Sequence, residues 1–151
     1  MTLLDRFSED LKESLKSRNS IKTSVIRLLK SSIKYREIEK KAPLSDDEII
    51  EVIMSGIKQR RESVEQFSKG GRTDLVQKES NEIEIMQAYL PQPLTEEELV
   101  DEVKSVIKEV GATSAKDMGK VMKALMPRIK GRAEGTKVSS IVKELMEAQA
   151  N

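Results

Sequence analysis

Leu90-Pro91-Gln92-Pro93-Leu94 interrupts a chain that is otherwise patterned for helix on both sides. Prolines at alternate positions cannot continue a helix, and each biases the residue before it toward extended backbone. Apolar residues on either flank recur at spacings of three and four, the period of an amphipathic helix. No segment alternates at the period of two that a half-buried strand requires. The expectation is an all-α chain in two parts. Residues 1–92 would form an N-terminal bundle of about four longer helices, and residues 93–151 a C-terminal bundle of three.

Upstream of the prolines, Leu4, Phe7, Leu11 and Leu15 predict a helix over about 3–17. Ile21, Val25, Leu28, Leu29 and Ile33 line one arc of a second, ending near residue 41 before Pro43. Ser45 with Glu48 has the spacing of a capping box and opens a third helix, which runs to the Gly70-Gly71 break. A fourth occupies about 73–89. Downstream, Thr95 with Glu98 is a second capping box, and Gly111 supplies a C-terminal stop. Ser114 with Asp117 opens the next helix, which Pro127 stops after Met126; a turn over 131–136 leads to the last.

Composition removes whole classes of chemistry. The 151 residues include no Cys, no His and no Trp. A disulfide framework, a thiolate zinc site, a cysteine nucleophile and any histidine-based triad are therefore excluded in cis. No G-x-x-x-x-G-K-[ST] and no G-x-G-x-x-G after a strand occurs, so nucleotide hydrolysis and dinucleotide redox chemistry lack a motif. Residues 1–10 carry Asp5, Glu9 and Asp10, unlike a signal peptide, and no apolar run reaches the ~18 residues of a membrane span. The expectation from these features is a cytoplasmic chain with no membrane partner, no DNA partner and no cofactor.

The net charge of +1 conceals a strong segregation. Residues 12–41 hold ten basic side chains against three acidic, and residues 116–137 hold seven against two. Residues 93–115 reverse the balance, with six acids against Lys104 and Lys108.

The acids come in two clusters, Asp46, Asp47, Glu48 and Glu51, then Glu96, Glu97, Glu98, Asp101 and Glu102. Oxygen-rich clusters suit Mg²⁺ or Ca²⁺. Both nevertheless open helices directly after an N-cap, where acids stabilise the helix dipole, and no metal site is assigned. Ser31-Ser32 and Ser139-Ser140 fall inside predicted helices, without the glycine-rich surroundings that would supply oxyanion donors. No catalytic residue is assigned.

The basic segments offer more. Arg27, Lys30, Lys34 and Lys41 fall within about 60° of one another on the second helix at 100° per residue, opposite the Ile21/Val25/Leu28 side. They form either a solvated face or a phosphate-tracking stripe. The run from Met118 to Gly135 ends one helix, crosses a turn containing Gly131 and Gly135, and starts another. Helix starts attract phosphate through free N–H groups, and glycines there permit close backbone approach. Lys130, Arg132 and Lys137 flank that start, with Lys120 and Lys123 on the preceding helix. Gly-rich turn and phosphate site remain alternatives at this level. Met118, Met122 and Met126 repeat every four residues, as either core packing or a methionine contact patch for a partner helix.

Asp117-Met118-Gly119-Lys120-Val121-Met122, then Met126-Pro127-Arg128-Ile129-Lys130-Gly131-Arg132-Ala133-Glu134-Gly135, resembles the signature of the YqeY-like proteins. So do Tyr89-Leu90-Pro91-Gln92-Pro93-Leu94, Leu3-Leu4-Asp5-Arg6 and Ser24-Val25-Ile26-Arg27, and the resemblance covers essentially the whole chain. Glu134 stands before Gly135 where Asp would be expected. The family shares its helical domain with the tail of GatB, the B subunit of the tRNA-dependent amidotransferase. The resemblance implies a two-part helical fold and, by kinship with a tail that helps hold tRNA, a tRNA-binding module without a catalytic centre.

The RNA face expected on these grounds comprises Lys120, Lys123, Arg128, Lys130, Arg132 and Lys137, with Arg27, Lys30 and Lys34 as a second contact and Gly131 and Gly135 as turn glycines. The partner this implies is tRNA. Two alternatives stand beside it. One is a component of a glutamine-dependent carbon–nitrogen ligase that needs partner subunits. The other is a helical adaptor for a protein partner, using the Met118/Met122/Met126 side. The low aromatic content, 3%, leaves few side chains for base stacking and favours recognition of a folded RNA by shape and backbone.

Overall fold

A computed structural model of the chain describes residues 1–150. Among the described residues it is all-helical, with seven α-helices, one 3-10 turn and no strand. The helices are α1 (Leu3–Lys16), α2 (Ser20–Lys40), α3 (Asp46–Lys69), α4 (Thr73–Gln87), α5 (Glu96–Val110), α6 (Met118–Ile129) and α7 (Gly135–Ala150). The 3-10 turn is Ala115–Asp117. The chain divides into two compact units, Met1–Leu90 and Pro91–Asn151. No helix among the described residues is long and apolar enough to cross a membrane.

The helix starts follow local chemistry. Thr2, Ser45 and Thr95 each accept the backbone N–H three residues on, from Asp5, Glu48 and Glu98, whose carboxylates return to the capping residue's N–H. Each reciprocal pair satisfies donors that a helix start otherwise leaves open, worth ~1 kcal/mol per cap. Gly111 closes α5 at φ 66°, where a Cβ would be disfavoured, and Ala112 N–H reaches back to Ile107 O at 3.1 Å. α2 ends in the same left-handed way, but on a non-glycine residue, Lys41 at φ 61°.

In the first unit α3 packs chiefly against α4, and α1 against α2. Phe7, Val25, Ile26, Leu29, Ile33, Ile49, Ile53 and Met86 make its core, closed by Tyr89. The Tyr89 and Phe7 rings meet in an edge-on pair at 4.7 Å between centroids, and the Arg6 guanidinium lies over the Tyr89 ring, 5.0 Å from its centroid. Burial and the Asp10 carboxylate, which accepts a hydrogen bond from the Tyr89 hydroxyl, push the phenol well above its ordinary pKa. Ser14 and Thr23 hydrogen-bond to each other at 2.8 Å, which lets two hydroxyls sit buried where α1 meets α2. Gly56 lets α3 approach Met86, whose Cε would lie 2.5 Å from an added Cβ.

The second unit buries one row from each helix: Leu99, Val103 and Val106 of α5, Val121, Leu125 and Ile129 of α6, and Val138, Val142 and Met146 of α7. Pro127 lies inside α6, which continues to Ile129 rather than stopping at Met126 as the sequence suggested. The proline removes one hydrogen bond from the last turn. Leu125 and Ile129, at i and i+4, are both fully buried and hold that turn in register.

A second correction concerns α2. Its buried arc is Val25, Ile26, Leu29 and Ile33, whereas Ile21 and Leu28, expected on the core side, are 41% and 54% exposed. The helix carries two apolar arcs, and its packing against α1, α3 and α4 buries only one of them.

Candidate nucleic-acid interface

The second unit places six of the candidate basic residues on α6, its exit turn and the start of α7. Val121, Leu125 and Ile129 commit one side of α6 to the core. Lys120 and Lys123 are exposed on the opposite side, about 60° apart at 100° per residue. Lys137 is exposed in the first turn of α7, beside exposed Gly135 and Thr136. Lys123 and Lys137 have no side-chain hydrogen bond or ion pair among the described residues.

Lys120 lies near Asp117, but that carboxylate has other work. It accepts Thr113 N–H at 2.9 Å and Ser114 N–H at 3.4 Å, capping the turn that feeds α6. Those amides, more than Lys120, hold its pKa below the ordinary carboxylate value.

The other candidates are engaged elsewhere. Arg128 turns toward α5, with Nη1 3.0 Å from Glu109 and Nε 3.7 Å from Glu102. Arg132 is half-buried. Its Nε donates to Gln92 O at 2.9 Å, and its own carbonyl accepts Leu94 N–H at 2.9 Å. Lys130 is the half-buried last cap of α6. Gly131, also buried, takes φ 78°, and this left-handed residue bends the backbone so that Arg132 N–H can reach Ile129 O at 2.9 Å. The Gly131 turn is therefore a joint between α6 and the proline segment as well as an approach to α7.

Met118, Met122 and Met126 are half-buried and pack at the margin of the unit's core. In the first unit Arg27 and Lys34 are exposed on α2 and Lys30 is half-buried. They adjoin Ile21, Leu28, Tyr35 and Ile38, large apolar side chains left exposed on the same helix. The sequence reading missed that set, although the repeat of seven from Ile21 to Leu28 to Tyr35 is visible in the residues alone.

The acidic clusters lie in the first turns of α3 and α5. Glu48 closes its capping box and pairs with Lys40 at 2.8 Å, while Asp46 accepts Leu3 N–H at 3.4 Å. Among the described residues no three acidic side chains converge as metal ligands. Ser31-Ser32 and Ser139-Ser140 lie within α2 and α7.

The fold and this arrangement define a small helical module in two units. Residues 4–146 match the family described as Yqey-like protein, and the chain belongs to that family. It is 33% identical over 152 residues to "Altered inheritance of mitochondria protein 41, mitochondrial" of Pyrenophora tritici-repentis, covering 97% of this chain and 82% of that protein. The protein of the same name from Eremothecium gossypii is 38% identical over 88 residues, 58% of this chain and 48% of its own length. That from Saccharomyces cerevisiae is 28% identical over 148 residues, 91% and 80% respectively. These names overturn the expectation of a cytoplasmic chain, since the relatives are mitochondrial proteins. That expectation was drawn from the composition of the opening residues and from apolar run lengths, neither of which carries a compartment address.

Proposed function

We propose that this chain is a non-catalytic RNA-binding module whose ligand is tRNA, contacted by the exposed lysine edge of α6 and the start of α7. The observation that carries this reading is the set Lys120, Lys123 and Lys137. These side chains are exposed, and Asp117, the acid three residues before Lys120, is occupied by backbone amides. Flexible ammonium groups in water suit phosphate neutralisation without base readout. Lys130 stands beside this edge, while Arg128 and Arg132 build the scaffold under it. Kinship with the amidotransferase B-subunit tail supports tRNA as the class of RNA. The relatives' names place those proteins in mitochondria, and binding requires only a compartment that holds tRNA.

The test is a titration of the purified chain against total tRNA at low and moderate salt, with Lys120→Glu/Lys123→Glu beside the parent. Parent binding falls as salt rises, and the double change weakens it and lowers the salt slope by about 2. Salt-independent binding, or no binding at low salt, overturns the reading. So does glutaminase activity in the purified chain alone.

A further inference from the structure

Among the described residues six large hydrophobic side chains are exposed, and four of them lie on α2: Ile21, Leu28, Tyr35 and Ile38. Leu28, Tyr35 and Ile38 are 54%, 66% and 68% exposed, so these are side chains standing in water rather than the rim of a core. Ile21, Leu28 and Tyr35 are spaced by seven, and Ser24, Ser31 and Ile38 fill the intervening places at plus three. That is the a/d spacing of a helix–helix seam, with small residues at two d-like places where a partner's side chains can enter. At 100° per residue the stripe spans about 100°, the width of an amphipathic face, on the side that α2 leaves unburied. Apolar residues scattered singly over a surface need no explanation, but an ordered row along one helix marks an interaction surface.

The flank of the stripe says what covers it. Arg27 and Lys34 immediately precede Leu28 and Tyr35, as g positions precede a positions in a heptad, and Lys41 continues the row. Arg27 and Lys34 are exposed and meet no acid among the described residues. α2 carries six basic residues against Glu37 and Glu39, and Glu37 is turned away to accept Leu44 N–H at 3.0 Å. A second copy of the chain would bring this basic surplus against itself. An RNA would find one stackable ring, Tyr35, among aliphatic side chains that offer its phosphates and sugars no hydrogen bond.

We propose that this face of α2 docks an amphipathic helix of another protein, one whose apolar seam is edged by Asp and Glu. From Ile21 to Ile38 the stripe runs about 25 Å at the 1.5 Å rise of a helix, room for four to five turns of such a partner. The acidic edge lies along Arg27 and Lys34, and the apolar seam seats on Leu28, Tyr35 and Ile38.

The experiment uses the full chain and two dye-labelled synthetic helical peptides with the same leucine seam, one flanked by Glu and one by Lys, followed by fluorescence anisotropy. The Glu-flanked peptide binds, and the Lys-flanked one binds at least about tenfold more weakly. Leu28→Gln/Tyr35→Gln weakens the Glu-flanked peptide by about tenfold or more, while helix content stays at the parent's level because both side chains are already in water. Arg27→Glu/Lys34→Glu leaves the seam intact and reverses the peptide preference. No binding of the Glu-flanked peptide, equal binding of both, or indifference to the Gln changes overturns the proposal. A parent dimer in sedimentation that Leu28→Gln/Tyr35→Gln disperses gives the face to a second copy. Loss of tRNA binding in that variant gives it to RNA. Either result overturns the proposal as well.

Discussion

Nε of Arg132 lies 2.9 Å from the carbonyl oxygen of Gln92, forty residues earlier in the chain. Together with Leu94 N–H donating to Arg132 O at 2.9 Å, this ties the proline segment to the exit of α6. A residue that reads in sequence as one more cation in a basic run is thus a strut for its own unit. Arg132→Ala is expected to lower the stability of the chain by about 1 kcal/mol, the net worth of one such hydrogen bond. Urea unfolding measures it. A neutral effect on stability combined with lost tRNA binding would return Arg132 to the ligand face.

Lys41 ends α2 in the left-handed region at φ 61°, where an L side chain is disfavoured. Lys41→Gly removes that conflict and is expected to raise stability by up to ~1 kcal/mol, seen as a higher urea midpoint at unchanged slope. Destabilisation would show that the lysine side chain holds the α2–α3 corner by a contact of its own.

Arg60 and Glu82 pair across α3 and α4 at 3.0 Å with little of either side chain exposed, and Arg60 also donates to Gly56 O at 3.3 Å. Glu82→Ala strands a largely desolvated guanidinium and is expected to cost about 3 kcal/mol. The double change Arg60→Met/Glu82→Leu recovers most of that loss, because the dominant penalty is the orphaned charge. A double variant as unstable as Glu82→Ala would contradict this.

Glu48 has a folded pKa of about 2 against an ordinary 4.5, held there first by Lys40 and then by Ser45 N–H. The folded state therefore binds its proton less readily than the unfolded state. The resulting stabilisation is present above about pH 4.5 and is lost as pH falls toward about 2. The gap in Tm between the parent and Glu48→Gln should be open at neutral pH and close through that window. A gap that stays constant down to pH ~2 would mean the carboxylate charge contributes nothing.

Arg128 pairs with Glu109 and Glu102 at the surface, all three substantially exposed. Arg128→Ala is expected to cost no more than about 1 kcal/mol, since exposed pairs are screened by water. It should leave the salt slope of tRNA binding unchanged, in contrast to Lys120→Glu/Lys123→Glu.

Much of the helical layout is legible in short windows of sequence. The capping boxes at Ser45 and Thr95 and the glycine stop at Gly111 stand where the residues alone place them, because each is a contact between groups three to five positions apart. Pro127 shows the limit of that logic. Its local effect is to end a helix, yet burial of Ile129 two residues on carries α6 past it.

From the residues alone follow the all-helical class, the break at Pro91 and Pro93, the absence of thiol and imidazole chemistry, the positions of the lysines and the family to which they belong. Tertiary structure decided which of the two apolar arcs of α2 is buried, and that Arg128 and Arg132 spend their guanidinium groups on Glu109 and Gln92. The physical reason is range. Caps and breaks are satisfied within one turn of backbone. A helix face or a long cationic side chain is assigned by whatever element packs beside it, from tens of residues away.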